Sequence, residues 1–177
     1  MPPSKIMLIR HAEKQPDGPP GPPPYGINAN GKQKRRSLTV RGWQRSGALV
    51  PFFCAPKPPV ETPGIIYASA VSADNDETKS RRPQETVTPL ARRLGIEVDV
   101  SYTVGQEAQL ATDIQSHSGV VLVAWEHKHI PLLAAALHAS APGAWPDDRF
   151  DVVWILTAAP DAYLFASADQ SLLQGDV

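Results

Sequence analysis

Three short stretches carry side chains suited to handling a phosphate group. The first is Arg10-His11. A neutral imidazole is a good phosphoryl acceptor when one ring nitrogen attacks and the other N–H is held by a carbonyl that fixes the tautomer. The neighbouring guanidinium can grip phosphate oxygens as a fork. The second stretch runs from Ser80 to Ala91 and opens with Arg81-Arg82. Arginine at a helix start opposes the helix dipole, an oddity removed if the side chain and the helix end both face an anion. The third is Trp125-Glu126-His127-Lys128-His129. His127 as an imidazolium would bind a phosphate oxygen and strengthen as charge shifts during transfer, and Glu126 beside it would help keep it cationic. Taken singly, each stretch also has a plain reading: a polar pair ending a strand, a solvated arginine pair, or a weak metal site through His127 and His129 that lacks a supporting carboxylate or cysteine set.

These side chains act together only if the fold gathers them. Lys5–Arg10 is a short apolar run that reads as a buried parallel strand, and His11 follows it directly. A Pro/Gly/basic loop comes next, rich in prolines from Pro16 to Pro24, and regular structure is excluded from about residue 15 to 37. Thr39 is placed to cap a helix reaching about Phe53. Gly64–Ser69 forms a second strand. Ser80–Leu94 reads as a helix with an apolar stripe at Val87, Leu90, Ala91 and Leu94, stopped by Gly95. Glu97–Val100 is a short strand, 105–115 a helix, and Gly119–Trp125 the most strand-like segment of the chain. A helix entered through Pro131 runs to about His138. Asp151–Leu156 and Ala162–Ala166 form a closing antiparallel hairpin. Alternating strands and helices predict a three-layer α/β/α sandwich with a mostly parallel sheet and an antiparallel edge. In such sheets ligands sit beyond the carboxyl ends of the strands, where His11 and His127 both emerge.

Composition narrows the classes. The 177 residues are 42% hydrophobic and 20% charged, the balance of one soluble domain spanning 1–177. The net charge of −1 predicts no global attraction to nucleic acid or to an anionic membrane. No stretch reaches the length of a membrane span, and the start is too short for a signal-peptide core, so a cytoplasmic location is expected. The one cysteine, Cys54, can form no intrachain disulfide and reads as a small buried hydrophobe. The basic run Lys32–Arg36 lacks interleaved aromatics and reads mainly as solvated loop, although its position after the first histidine allows it to overhang a pocket.

The motifs, taken in order, resemble the histidine phosphatase superfamily, also called phosphoglycerate-mutase-like. Ile6–Glu13 is similar to that family's Arg-His-Gly signature, with Ala12 in place of the glycine. Leu38-Thr39-Val40-Arg41-Gly42 is similar to its Leu-Thr-x-x-Gly helix start. Tyr67-Ala68-Ser69 followed by Arg82–Ala91 resembles its Ser…Arg segment, and Val121–His127 its second-histidine strand. Two further departures are the long link 70–79 and the bulky Trp125-Glu126 where small residues are commoner. The resemblance implies a metal-independent phosphatase that needs no cofactor. In it His11 is phosphorylated in turnover, Arg10, Arg82 and His127 bind the phosphoryl group, and the partner is a small phosphorylated substrate or inorganic phosphate. In many relatives a glutamate some two dozen residues past the pocket arginine protonates the leaving oxygen, which points to Glu107, with Glu126 and Glu13 as competitors. A phosphomutase of the same fold and a phospholigand-binding protein that has lost its acid are the alternatives, and the oligomeric state is left open.

Overall fold

A computed structural model describes residues 1–18, 23–73 and 79–176. Its centre is a six-stranded sheet in the order β3-β2-β4-β1-β5-β6. The strands are β1 Lys5–Arg10, β2 Ile65–Ala68, β3 Val98–Asp99, β4 Val120–Trp125, β5 Val152–Ala158 and β6 Tyr163–Asp169. The first four in space are parallel, while β5 runs antiparallel to both β1 and β6. The helices are α1 Val40–Cys54, α2 Arg82–Leu94, α3 Glu107–Ser116 and α4 Ile130–Ala136. The architecture is the α/β/α sandwich expected, with the antiparallel strands where the sequence placed them.

The sheet sorts its side chains by the two-residue period of a strand. Ile6 and Leu8 of β1, with Val121 and Val123 of β4, join the core that holds Leu110 and Ile114 of α3 and Leu133 of α4. Met7 and Ile9, with Leu122 and Ala124, face the other way, onto Leu49 and Phe53 of α1 and Val87 and Leu90 of α2. All six residues of β1 are buried, so this strand is a rigid post for whatever follows it.

Two glycines matter locally. Thr39 caps α1 by accepting from the Gly42 N–H at 3.2 Å, and its own N–H donates to the Glu13 carbonyl at 2.9 Å. A Cβ at Gly42 would lie 2.5 Å from that same carbonyl, so only glycine lets α1 approach the segment after His11. Gly95 ends α2 in the left-handed conformation at φ 69°.

Some expectations shift. The hairpin strands are longer than the apolar pattern suggested, pairing from Val152 with Asp169 to Ala158 with Tyr163. β6 is an edge strand with mostly exposed or half-buried side chains, so hydrophobicity could not mark its end. Cys54 is only half-buried, at the last turn of α1. No helix among the described residues is long and apolar enough to cross a membrane. The link 70–79 falls partly outside the described residues, as does part of the proline-rich loop.

Candidate active site

β1 and β4 are neighbours, with Arg10 opposite Trp125 in the register. The ladder runs one residue further, through a 3.2 Å bond from the His11 N–H to the Trp125 carbonyl. Beyond that point the chains diverge. His11 and the Glu126-His127 pair are thereby set side by side at the carboxyl edge of the sheet. Arg82, the first residue of α2, completes the group: Arg10, His11, Arg82 and His127 line one cavity of about 580 Å³.

His11 is buried, with 2% of its surface exposed. Its Nδ1 lies 2.8 Å from the Ala12 carbonyl. A carbonyl can only accept, so Nδ1 carries the proton and Nε2 keeps its lone pair. Burial, then the Arg82 and Arg10 charges, push the imidazolium down to about 3, so the ring is a neutral base at ordinary pH. The loop is fixed as well, because the Ala12 N–H donates to Thr86 Oγ1 at 2.8 Å and the Thr86 hydroxyl donates to the Arg82 carbonyl at 2.7 Å.

Arg10 is buried and held from behind. Its guanidinium donates to the carbonyls of Asp147 and Arg149 and lies 3.9 Å from the centre of the Phe150 ring. Arg82 donates from Nη2 to the Arg35 carbonyl at 2.9 Å. In each guanidinium the Nε is buried and has no protein acceptor. Buried donors left unmatched are costly unless an anion supplies the acceptor. Burial lowers both groups to about 10, opposed at Arg10 mainly by Glu126 and reinforced at Arg82 by Arg36. Cations destabilised this way gain most from a phosphate dianion.

His127 is 8% exposed. Its Nδ1 is 2.6 Å from Glu126 Oε1, without the alignment of a hydrogen bond, and its Nε2 is 3.5 Å from Asp147 Oδ1. Burial would raise the Glu126 carboxyl, but His127 and the Lys128 N–H, which donates to it at 2.8 Å, hold it below the usual carboxylate range.

Glu107 is brought close to the site but not into the cavity lining. Its Oε1 accepts from Trp125 Nε1 and from the Gly105 N–H, both at 2.9 Å, and stands 3.0 Å from His129 Nδ1. The expected proton donor is therefore engaged behind the strand that carries His127. Glu13 also points elsewhere, into ion pairs with Arg45 and Arg41. The two histidines of the metal alternative contact different carboxylates, Glu126 and Glu107.

The basic run is exposed from Lys32 to Arg35, as a solvated loop would be, and its end also overhangs the pocket, as its position allowed. Arg35 and Arg36 line the cavity, and their carbonyls accept from Arg82 and Arg81. Sequence reasoning missed Lys14, Asp17 and Asp147, which line the same space. These residues sit on loops, where no periodicity announces a direction. The only signal at hand was that the 15–37 loop comes just after His11 in the chain.

Neither a protein-family model nor a curated protein matches the sequence. Solved structures do resemble it. One is the protein histidine phosphatase SixA complexed with tungstate, at TM-score 0.57 and 14% identity, covering 94% of this chain and 97% of that one. Another is assigned as the phosphohistidine phosphatase SixA of Agrobacterium tumefaciens, at TM-score 0.50 and 15% identity, covering 93% of this chain and 96% of that one. At such identities the likeness establishes the fold, the phosphoglycerate-mutase-like sandwich.

Proposed function

We propose that the chain is a metal-independent phosphatase that works by transfer through phospho-His11. The observation that supports this most is the fixed tautomer of His11. A buried, neutral imidazole turns its free Nε2 toward a cavity that also holds two guanidinium groups with unmatched buried donors. Phosphoryl transfer demands positioning and charge stabilisation more than covalent chemistry from the protein, and this set supplies both.

In the first step the His11 Nε2 lone pair attacks phosphorus and the bond to the leaving group breaks. Arg10, Arg82 and His127 bind the equatorial oxygens, where charge is spread in the transition state. In the second step water attacks phospho-His11, the N–P bond breaks, and inorganic phosphate leaves. The water proton passes to solvent or to a cavity carboxylate.

The leaving group decides the substrate class. Glu107 is committed to Trp125 and Gly105, and Glu126 is held ionised beside His127. Asp147, in the cavity wall, is 92% exposed in its side chain. No buried carboxylic acid among the described residues lining the cavity is poised to protonate a poor leaving group. Phosphoryl groups on aryl oxides or on nitrogen, which leave without strong acid help, fit this arrangement better than alkyl esters. The names of the two resembling structures agree with a nitrogen-linked phosphoryl substrate.

The test is hydrolysis of an aryl phosphate with chelator present, for the wild type and His11→Ala. Chelator-insensitive turnover that disappears in the variant is expected. Full activity in His11→Ala would refute the proposal.

A further inference from the structure

A second groove, of about 660 Å³, adjoins the catalytic cavity, and the two share the Arg35–Arg36 wall. Its floor is one face of α2, with Arg81, Glu85, Thr88 and Arg92 in a row along the helix axis. From Arg81 to Arg92 the row is about 16 Å long, the span of roughly five residues of extended chain. Lys34, Arg35, Arg81 and Arg92 are exposed along it. Its only carboxylate among the described residues, Glu85, accepts from the Leu38 N–H at 2.9 Å. Trp43 adds an indole whose N–H is already used by the Ile27 carbonyl at 2.6 Å, leaving the ring as apolar wall.

We propose that this groove binds the acidic polypeptide flanking a phosphorylated residue, so that the substrate is an acidic phosphoprotein segment rather than a small phosphate ester. The argument rests on length and charge. A phosphate ester of metabolite size would be contained in the catalytic cavity and would leave a 16 Å cationic channel unused. An extended chain with carboxylates at alternate positions would place them along the arginines of α2 while its phosphoryl group reached His11 around the Arg35–Arg36 wall. The hydrolysis arm of this proposal depends on the phosphatase reading, and the binding arm does not.

The binding arm uses a fluorescein-labelled, unphosphorylated octapeptide rich in aspartate and glutamate, compared with its asparagine/glutamine counterpart. The acidic peptide is expected to bind the wild type more tightly than the neutral one. Arg92→Glu, which lies outside the catalytic cavity, is expected to weaken it by about fivefold or more, the scale of an exposed ion pair lost and reversed. Inorganic phosphate should not displace it. Equal binding of both peptides, undiminished binding by Arg92→Glu, or displacement by phosphate would each overturn the groove assignment. The hydrolysis arm compares an aryl phosphate with acidic and neutral phosphotyrosine peptides. A lower KM for the acidic peptide, lost in Arg92→Glu while aryl phosphate turnover is unchanged, is expected. Turnover of all three without acidic preference would overturn the groove and leave the phosphatase reading standing. Acidic-peptide binding without any turnover would do the reverse.

Discussion

Thr86 and Ala12 are joined by a 2.8 Å hydrogen bond that ties helix α2 to the segment carrying His11. The same hydroxyl donates to the Arg82 carbonyl, so one buried side chain sets the spacing between His11 and the arginine that faces it. Thr86→Val removes the acceptor and leaves the Ala12 N–H buried and unmatched. A loss of about 1–3 kcal/mol in stability is expected. A fall in kcat larger than the rise in KM should accompany it, because the displaced groups act in the transition state. Thr86→Ser should restore both. Denaturant unfolding and steady-state kinetics on the two variants check this, and an inactive Thr86→Ser would contradict it.

The depressed His11 sets a pH window for stability. Its folded value of about 3 lies below the ordinary 6.5, so the unfolded chain binds a proton that the native site refuses. Stability from this group is present above pH 6.5 and is lost as pH falls toward 3. Asp176 and Glu126, also lowered, begin to titrate only below their ordinary 3.8 and 4.5. Between pH 6.5 and 4.5 the wild type is therefore expected to lose up to about 1.4 kcal/mol per pH unit more than His11→Asn. Parallel stability curves for the two proteins over that range would contradict the assignment.

Arg45 anchors the C-terminal segment. It is 2% exposed and pairs with Asp176 at 2.7 Å and Glu13 at 2.8 Å, while Asp176 also accepts from the N–H groups of Leu172 and Leu173. Asp176→Asn leaves Arg45 paired with Glu13 alone and weakens the acceptor of the Leu172 and Leu173 N–H groups, so it should cost about 1–3 kcal/mol. Thermal unfolding checks this. Aryl phosphate KM should stay near the wild-type value while the protein is folded, because this network lies outside the catalytic cavity.

Much of this arrangement was legible because it rests on regular elements. The apolar run Lys5–Arg10 marks β1, the Thr39 cap marks α1, and Gly95 marks the end of α2; strand order then puts His11 and His127 at one edge. Glu107 shows where spacing is insufficient. Its distance along the chain from Arg82 suggested an acid, but the fully buried Trp125 indole needs an acceptor, and Glu107 supplies it. Trp125 had been visible only as a bulky departure, and the two observations meet in one hydrogen bond. Lys14, Asp17 and Asp147 were illegible for another reason: loop backbone places them, and nothing in residue type gives its path.

That bond yields a prediction about leaving groups. As a positioning residue, Glu107→Gln keeps an oxygen that accepts from Trp125 and Gly105, so it should cost the fold no more than about 1 kcal/mol. It should change kcat for aryl and alkyl phosphates by the same factor and leave the shape of the pH–rate profile intact. An alkyl-specific collapse with loss of the basic limb would instead identify Glu107 as the proton donor. In the wild type, kcat/KM should rise steeply as the leaving group becomes more acidic, and comparable rates on alkyl and aryl phosphates would contradict an acid-poor site.

The covalent intermediate is the most direct test. Mixing the protein with a ³²P-labelled aryl phosphate and quenching within milliseconds should trap label that is stable to base, labile to acid and located on the His11 peptide. It should be absent from His11→Asn. Turnover that proceeds with no label on His11, or with label on another residue, would contradict the account.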